Sequence, residues 1–505
     1  MFKLKHLILS LVASAGILVV SSSSAHAATI NVNTLDDTDI QDDGACSLRE
    51  AINNINAGSD TTDGGGGGDC PAGDGVDDTV VLPSGTMTLN LHLPEITESI
   101  AITGQGMGTT IIDGDGAYGA LSVNGSSTPI DSFTVADLTI TGYQAAGISV
   151  FGTDTVVNIS RVEIDGNNMI ASGSFPILAG IVCSGSGELN INSVYVHDIS
   201  STTDGSGVLA IGIAGQQNSV TDVSIANSTI SNLSAAAGTG STQGIAFQMG
   251  VLDGSSTPAT ITAELANNTI TDLSSANSGA QAVGAFGFVE DGDSNLNIVS
   301  TNNTFSHLHG TSETIDSSGI LFIAASTNEE DTFNVSYQSV NTVYADSTSD
   351  GTVNNTCMTV DGNPFISGSG TNTFTLSSLG GNLTDDNTCS SYFTEPTDQN
   401  NVTNLASTLG ALGDYGGYVP TIPLLEGSPA IDAGVTVAGL TSDARGVSRP
   451  LGLAYDSGAY ESPYTQAEDT EGASLAETGG PVGLLIVLGT VLVGSSLVLQ
   501  KLRST

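Results

Sequence analysis

The chain has no tryptophan in its 505 residues, and aromatic side chains make up only 5% of it. Cations are almost as scarce: 8 Lys and Arg stand against 53 Asp and Glu, a formal net charge of −45. Lysine occurs only at positions 3, 5 and 501, so between the two ends Arg49, Arg161, Arg445 and Arg449 alone face the carboxylates. Nucleic-acid binding depends on Lys and Arg neutralising phosphates, so this balance excludes a nucleic-acid partner. Acidic polysaccharides would be repelled too unless cations bridge them, and Ca²⁺ or external salt is the natural relief for such self-repulsion. Leu-rich stretches of helical period are few after residue 60. What the chain does have is 63 Gly, abundant Ser, Thr and Asn, and 39% apolar residues in short alternating runs. Alternation of that kind marks β-strands rather than disorder.

Both ends read as export signals. Lys3 and Lys5 precede an apolar stretch over residues 7–20, then a serine run and Ala25-His26-Ala27, the layout of a signal peptide cut after Ala27. At the other end an apolar run over residues 482–499 is followed by Lys501 and Arg503. Eighteen mostly apolar residues are about enough to cross a bilayer, with the basic end kept on the cytoplasmic side. Leu475-Ala476-Glu477-Thr478-Gly479 stands just before that run. The order of motif, span and basic tail resembles a cell-wall sorting signal, in which a sortase cuts between Thr478 and Gly479 and joins Thr478 to the envelope. The usual motif has Pro where this chain has Ala476, a residue that one sortase class favours. The alternative is a single-pass anchor that is never cut. Either way the body of the protein is expected outside the cell.

The middle of the chain repeats. NSTISNLS begins at Asn227, NNTITDLS at Asn267 and NNTFSHLH at Asn302, with a fainter NSVYVHDIS at Asn192. The aligned apolar positions Ile199, Leu233, Leu273 and Leu308 are spaced 34, 40 and 35 residues apart. Each unit is followed by a second apolar run, beginning at Gly207, Gly244, Gly284 and Gly319. Repeats of this length with short strands and small-residue turns indicate a solenoid. No helical pattern fills the gaps, and two or three strands per unit are too few for a propeller blade. The expected fold is therefore all-β, a right-handed parallel β-helix of the pectate-lyase-like kind. Ile230, Ile270 and Phe305 should line one buried ladder.

Cys46-Ser47-Leu48-Arg49-Glu50-Ala51-Ile52 resembles the CSLREA-type motif at the N-terminus of secreted bacterial β-helix proteins. There it follows a first strand, here residues 29–32, and an Asp-rich turn. Residues 47–55 read as one short helix with Leu48, Ala51, Ile52 and Ile55 on a single face, suited to capping the open end of the solenoid. The stretch from Leu412, with DARGVSRP at Asp443 and DSGAYE at Asp456, resembles the choice-of-anchor-type C-terminal region of surface β-helix proteins. The expected organisation is a signal peptide over 1–27, a cap over 28–80, coils over 81–400, the C-terminal region over 401–461, a flexible spacer over 462–474 and the sorting signal over 475–505. For an exported chain, Cys46 with Cys70 and Cys357 with Cys389 are candidate disulfides, which leaves Cys183 as a small buried hydrophobe.

Polysaccharide cleavage is the rival to display. A β-helix lyase needs a basic residue to abstract a proton, and a hydrolase needs paired carboxylates. Only Arg161 lies in the coils. Asp385-Asp386 sits in a turn-like GNLTDDNTC, and His197, His307 and His309 follow strand positions where other repeats place Asn, Asp or Ser. These read as outward turn residues, so no catalytic set is expected. Carboxylates alternating with Gly can gather the oxygens Ca²⁺ prefers; the candidates are Asp36, Asp37, Asp39, Asp42 and Asp43, then Asp113 and Asp115, then Asp291 and Asp293. Solvated acidic turns are the plainer reading of the same residues. The expectation is a non-catalytic, surface-anchored β-helix whose work is adhesion, envelope structure or contact with a glycan or partner. The alternative is a secreted polysaccharide lyase or hydrolase.

Overall fold

The computed structural model describes residues 27–466, apart from 75–76, 126–128, 153, 170–176, 186, 203–206, 216–219, 236–240, 250–258, 277–281, 291–292, 311–317, 326–331, 350–355 and 362–370. The expected span over 482–499 and the motif over 475–479 lie outside these residues, as does the signal peptide up to residue 26. Among the described residues no helix is long and apolar enough to cross a membrane.

Every repeat supplies one rung to each of three parallel faces. The rung Thr260–Ala266 is followed by Thr269–Ser275 and then Ala282–Glu290, and each pairs in parallel with the corresponding strand of the next coil. Earlier, Ser132–Tyr143 and Val156–Asp165 run through the first corner unbroken, so the first two faces form one continuous ladder of 20 strands. Among the described residues the third face holds eight, from Leu121–Asn124 to Cys357–Asp361. A chain that passes through three faces and returns in register one rung higher is a parallel β-helix.

The side chains explain the regularity. Ile230, Ile270, Phe305 and Tyr344 occupy the same inward position on successive rungs of the second face and are all buried. The Phe305 and Tyr344 rings stack at 5.2 Å. Opposite them the third face carries Gly180, Gly244, Gly284 and Gly319. A Cβ at Gly284 would stand 2.4 Å from the Phe305 ring, and Gly244 and Gly319 face Ile270 and Tyr344 in the same way, so these three glycines make room for the facing ladder.

The corner between the first two faces is turned by Asp137, Arg161, Ser193, Asn227, Asn267, Asn302 and Asn341, all at positive φ. Asn and Asp tolerate this left-handed conformation best among non-glycine residues. The next residue completes the corner. Buried Asn268 and Asn303 each donate to the carbonyl of the preceding first-face strand, at Ile225 and Leu265, and Asn303 Oδ1 accepts from the Asn268 backbone at 2.7 Å. This accounts for the Asn-Asn that opens the repeats at Asn267 and Asn302.

The helix forms as Leu48–Ala57, with Ser47 as N-cap in a capping box with Glu50 and Gly58 closing it in the left-handed region. Leu48, Ala51, Ile52 and Ile55 are its buried face, and Cys46 is bonded to Cys70. The preceding strand, Thr29–Asn31, pairs with Asp78–Val81 and is itself the first rung, so the expected cap contributes to the coil stack. Cys357 is bonded to Cys389, and Cys183 is a free, fully buried thiol whose pKa burial pushes up to about 12.

Residues 401–466 hold little regular structure and lie back along the outside of the solenoid. Thr229 donates to Pro420, Asn267 to Ser442, Asn302 to Asp456 and Asn341 to Val435. Leu405, Ile422, Leu424 and Ile431 form a second small core with Val343, Ala345 and Leu383 of the second face. Residues 462–466, expected to open the flexible spacer, are docked instead. Ser462 and Gln466 donate their backbone N–H groups to Asp456 and Asp432 because those carboxylates line the segment's path.

Candidate functional site

On the outer side of the second face one left-handed residue recurs on successive rungs: Asp198, Asn232, Asp272, His307 and Asp346, with φ between 51° and 57°. Asp, Asn and His are the non-glycine residues that accept this conformation most readily, so the backbone itself selects polar, titratable side chains here. Rungs are about 4.8 Å apart, and the result is a polar strip running up the solenoid. His307 faces outward as expected, but within the strand Thr304–Gly310 rather than in a turn, and His197, expected to face outward too, is buried.

At one end of the strip the register sets Glu163 beside Tyr195 and Asp165 beside His197. His197 is 9% exposed and its ring stacks on Tyr195 at 4.0 Å. Its Nδ1 lies 2.7 Å from Asp198 Oδ2 and its Nε2 lies 3.2 Å from Glu163 Oε1. Glu163 is braced in turn by the Thr139 hydroxyl, and Asp165 accepts from both the backbone and the side chain of Asn167. Burial by itself would lower the His197 pKa, but its hydrogen bonds to Glu163 and Asp198 and the charge of Asp165 raise it. Glu163 is correspondingly held below the usual range, first by its hydrogen bond to His197.

Over the next two rungs the strip continues as Ser231 and then Thr271, and beyond them a looser second group forms. His307 Nε2 and His309 Nε2 face the same Asp346 oxygen at 3.7 and 3.5 Å, with both rings well exposed. Asp385 accepts from the Asp346 backbone, and burial pushes its pKa up to about 6. Asp386 is structural: it accepts from Thr356 and Thr388 beside the Cys357–Cys389 bond.

The C-terminal segment forms a wall along this strip. A cleft of about 380 Å³ lies between Thr271, Asp272 and His307 on one side and Leu409, Gly410, Leu412 and Ile422 on the other. Tyr415 and Tyr418 on the same segment are 44% and 62% exposed, and the Arg161 guanidinium lies 5.7 Å from the Tyr418 ring centre. The strip thus combines aromatic faces, hydroxyls, amides and carboxylates, the groups that recognise polyhydroxylated ligands.

The four arginines among the described residues are all committed. Arg49 pairs with Asp37, Arg161 with Asp137 through two bonds of 2.6 and 2.7 Å, Arg445 with Asp443 and Arg449 with Glu461.

The acidic turns are engaged locally. Asp37 holds Arg49 and the Asn90 backbone. Asp42 accepts from Gly66 and Gly68, Asp43 from Ala45, Asp113 from Asp115 and Asp293 from Thr332. Asp39 lines a shallow hollow with Gln41, Asn53 and Thr61, Asp36 donates its backbone N–H to Thr34, and Asp291 lies outside the described residues. Among the described residues, the three ligand-type side chains that do converge are Asp165, His197 and Asp198, with ligand atoms all within 4.8 Å of one another. Sequence reasoning singled out His197 but missed Glu163, Asp165 and Asp198. Extending the repeat one unit toward the N-terminus, so that SRVEIDG aligns under NSVYVHD, would have brought Glu163 and Asp165 beside it.

No protein-family model matches the chain, and no curated protein matches it. Among solved structures it is similar to pectate lyase Pel9A, at 13% identity and a TM-score of 0.34 over 76% of this chain and 88% of that one. It is also similar to the A-module of the Azotobacter vinelandii mannuronan C-5 epimerase AlgE6, at 13% identity and a TM-score of 0.21 over 61% and 90%. Likenesses this distant carry no argument about activity. The parallel β-helix rests on the strand register of the chain itself.

Proposed function

We propose that this protein is an exported β-helix held at the cell surface by its C-terminal end, and that it presents the polar strip of its second face to a glycan. The observation that carries the reading is the cleft in which Leu409, Gly410, Leu412 and Ile422 face Thr271, Asp272 and His307, with Tyr415 and Tyr418 exposed on the same C-terminal segment. Tyrosine rings contribute rigid amphipathic contact area, and hydroxyls and carboxylates accept and donate to sugar hydroxyls. A neutral glycan suits the strongly acidic surface better than an acidic one. The CSLREA-type motif, the choice-of-anchor-type region and the Leu475–Gly479 motif support the envelope attachment.

The purified protein, screened on glycan arrays with product analysis, tests this. Binding without turnover is the expected outcome, and Tyr418→Ala should weaken it about tenfold, in line with aromatic anchors at interfaces. Mass spectrometry of wall-released protein should find a C-terminus at Thr478; intact chain ending at Thr505 would leave a membrane anchor in place of sortase processing.

The second reading, a polysaccharide lyase or hydrolase, is favoured by one observation: the imidazole of His197 held among Glu163, Asp165 and Asp198 at the edge of the same strip. Shortened oligosaccharide or unsaturated products from any polysaccharide in the screen would replace display with catalysis.

A further inference from the structure

We propose that Asp165, His197 and Asp198 bind a divalent transition-metal ion of the Zn²⁺ type, with Glu163 as the carboxylate that orients the imidazole. The proposal stands apart from the glycan reading and is tested without any sugar.

Three features point to it together. One imidazole nitrogen and the carboxylates of Asp165 and Asp198 offer ligand atoms all within 4.8 Å of one another. Ligand atoms around a tetrahedral Zn²⁺ with ~2.0 Å bonds are roughly 3.3 Å apart, so small side-chain rotations close the set. The 2.7 Å contact between His197 Nδ1 and Asp198 is the place where the ion would replace a shared proton.

The other ring nitrogen is already arranged as metal-bound histidines require. His197 Nε2 faces Glu163 at 3.2 Å, Glu163 is fixed by Thr139 at 2.7 Å, and the ring is held flat against Tyr195. A histidine that ligates through one nitrogen and gives the other N–H to a carboxylate is the usual outer-shell pattern of metal sites.

Charge supplies the third feature. Three carboxylates surround one imidazole, so a single imidazolium cannot balance them, and the nearby Arg161 is committed to Asp137. A dication restores the balance. One nitrogen with two oxygens selects Zn²⁺, Co²⁺ or Ni²⁺ over Ca²⁺, which takes six to eight oxygens.

The test is calorimetric titration of the full-length, chelator-stripped protein with Zn²⁺ and separately with Ca²⁺, together with the visible absorption of the Co²⁺ form. One Zn²⁺ per chain is expected, bound more tightly than Ca²⁺. His197→Asn should lower Zn²⁺ affinity at least 100-fold, and Glu163→Gln 10- to 100-fold without changing the stoichiometry. His307→Asn and Asp113→Asn should leave the titration unchanged. Asp165→Asn, at a half-exposed side chain, carries the same test if His197→Asn does not fold. Absence of stoichiometric Zn²⁺ binding, wild-type affinity in both His197→Asn and Asp165→Asn, loss of the ion in His307→Asn, or tighter binding of Ca²⁺ than Zn²⁺ would each overturn the site.

Discussion

The protein holds charge in two contrasting ways. In the C-terminal segment Arg449 and Glu461 meet at 2.7 Å with neither side chain exposed. Arg449 also donates to the carbonyls of Asp456 and Gly458, and to Asn267 of the solenoid. On the polar strip His197 meets Glu163 and Asp198 at a surface that solvent still reaches. The buried pair fastens one part of the chain to another, and no external ligand can approach it. The strip is built from the same kinds of groups, yet Glu163 and Asp198, the latter on a left-handed backbone, stay partly exposed, where a ligand can share them. Burial rather than residue type separates a structural ion pair from a candidate site.

Breaking the buried pair should have the largest effect. Arg449→Ala leaves Glu461 without its partner, and removing one member of a buried pair costs about 3–5 kcal/mol. Chemical denaturation should show that loss, and limited proteolysis should cut within residues 401–466 first. Next comes His197→Ala, measured in chelator to keep metal out. It leaves Glu163 and Asp198 without their shared donor and should cost about 1–3 kcal/mol, as unsatisfied polar groups do.

The third prediction concerns pH. Burial raises the folded pKa of Asp385 to about 6, above its ordinary 3.8. The folded state therefore favours its protonated form. The stability it contributes is fully present below about pH 4 and is lost as pH rises through 6. Asp385→Asn should remove that slope and raise stability at pH 8 by about 1 kcal/mol, allowing for solvent screening. A melting-temperature series from pH 4 to 8 on the two proteins checks the sign. The smallest effect belongs to His307→Ala, whose ring is exposed and 3.7 Å from its carboxylate. It should stay within about 0.5 kcal/mol of wild type. A loss as large as that of His197→Ala would erase the distinction between the two ends of the strip.

Much of the architecture was legible because a solenoid writes its geometry as a period. The 34- to 40-residue spacing placed Ile230, Ile270 and Phe305 in one ladder, and their register matches. The helix face from Leu48 to Ile55 and both cysteine pairs were also readable, since each depends on local spacing. The candidate site was only half legible. His197 stood out by type, but its partners lie one rung away. Glu163 belongs to a unit whose corner is turned by Arg161 in place of Asn, and this hid the repeat. The wall over the strip was not legible at all, because residues 401–425 carry no periodicity and meet the second face through non-repeating contacts, such as Thr229 to Pro420 and the packing of Leu405 and Ile422 with Val343 and Leu383.

The scarcity of cations, the alternating apolar runs and the Asn-Asn units by themselves determined that this protein is an acidic β-solenoid, since each rung repeats the same local chemistry. Tertiary structure alone decided which carboxylates matter. The acidic turns around Asp37, Asp113 and Asp293 bind their own backbones or neighbours, whereas parallel register gathers Glu163, Asp165 and Asp198 around one histidine from positions up to 35 residues apart. A local motif can specify a turn. Only the stacking of one coil on the next can bring distant side chains within bonding distance.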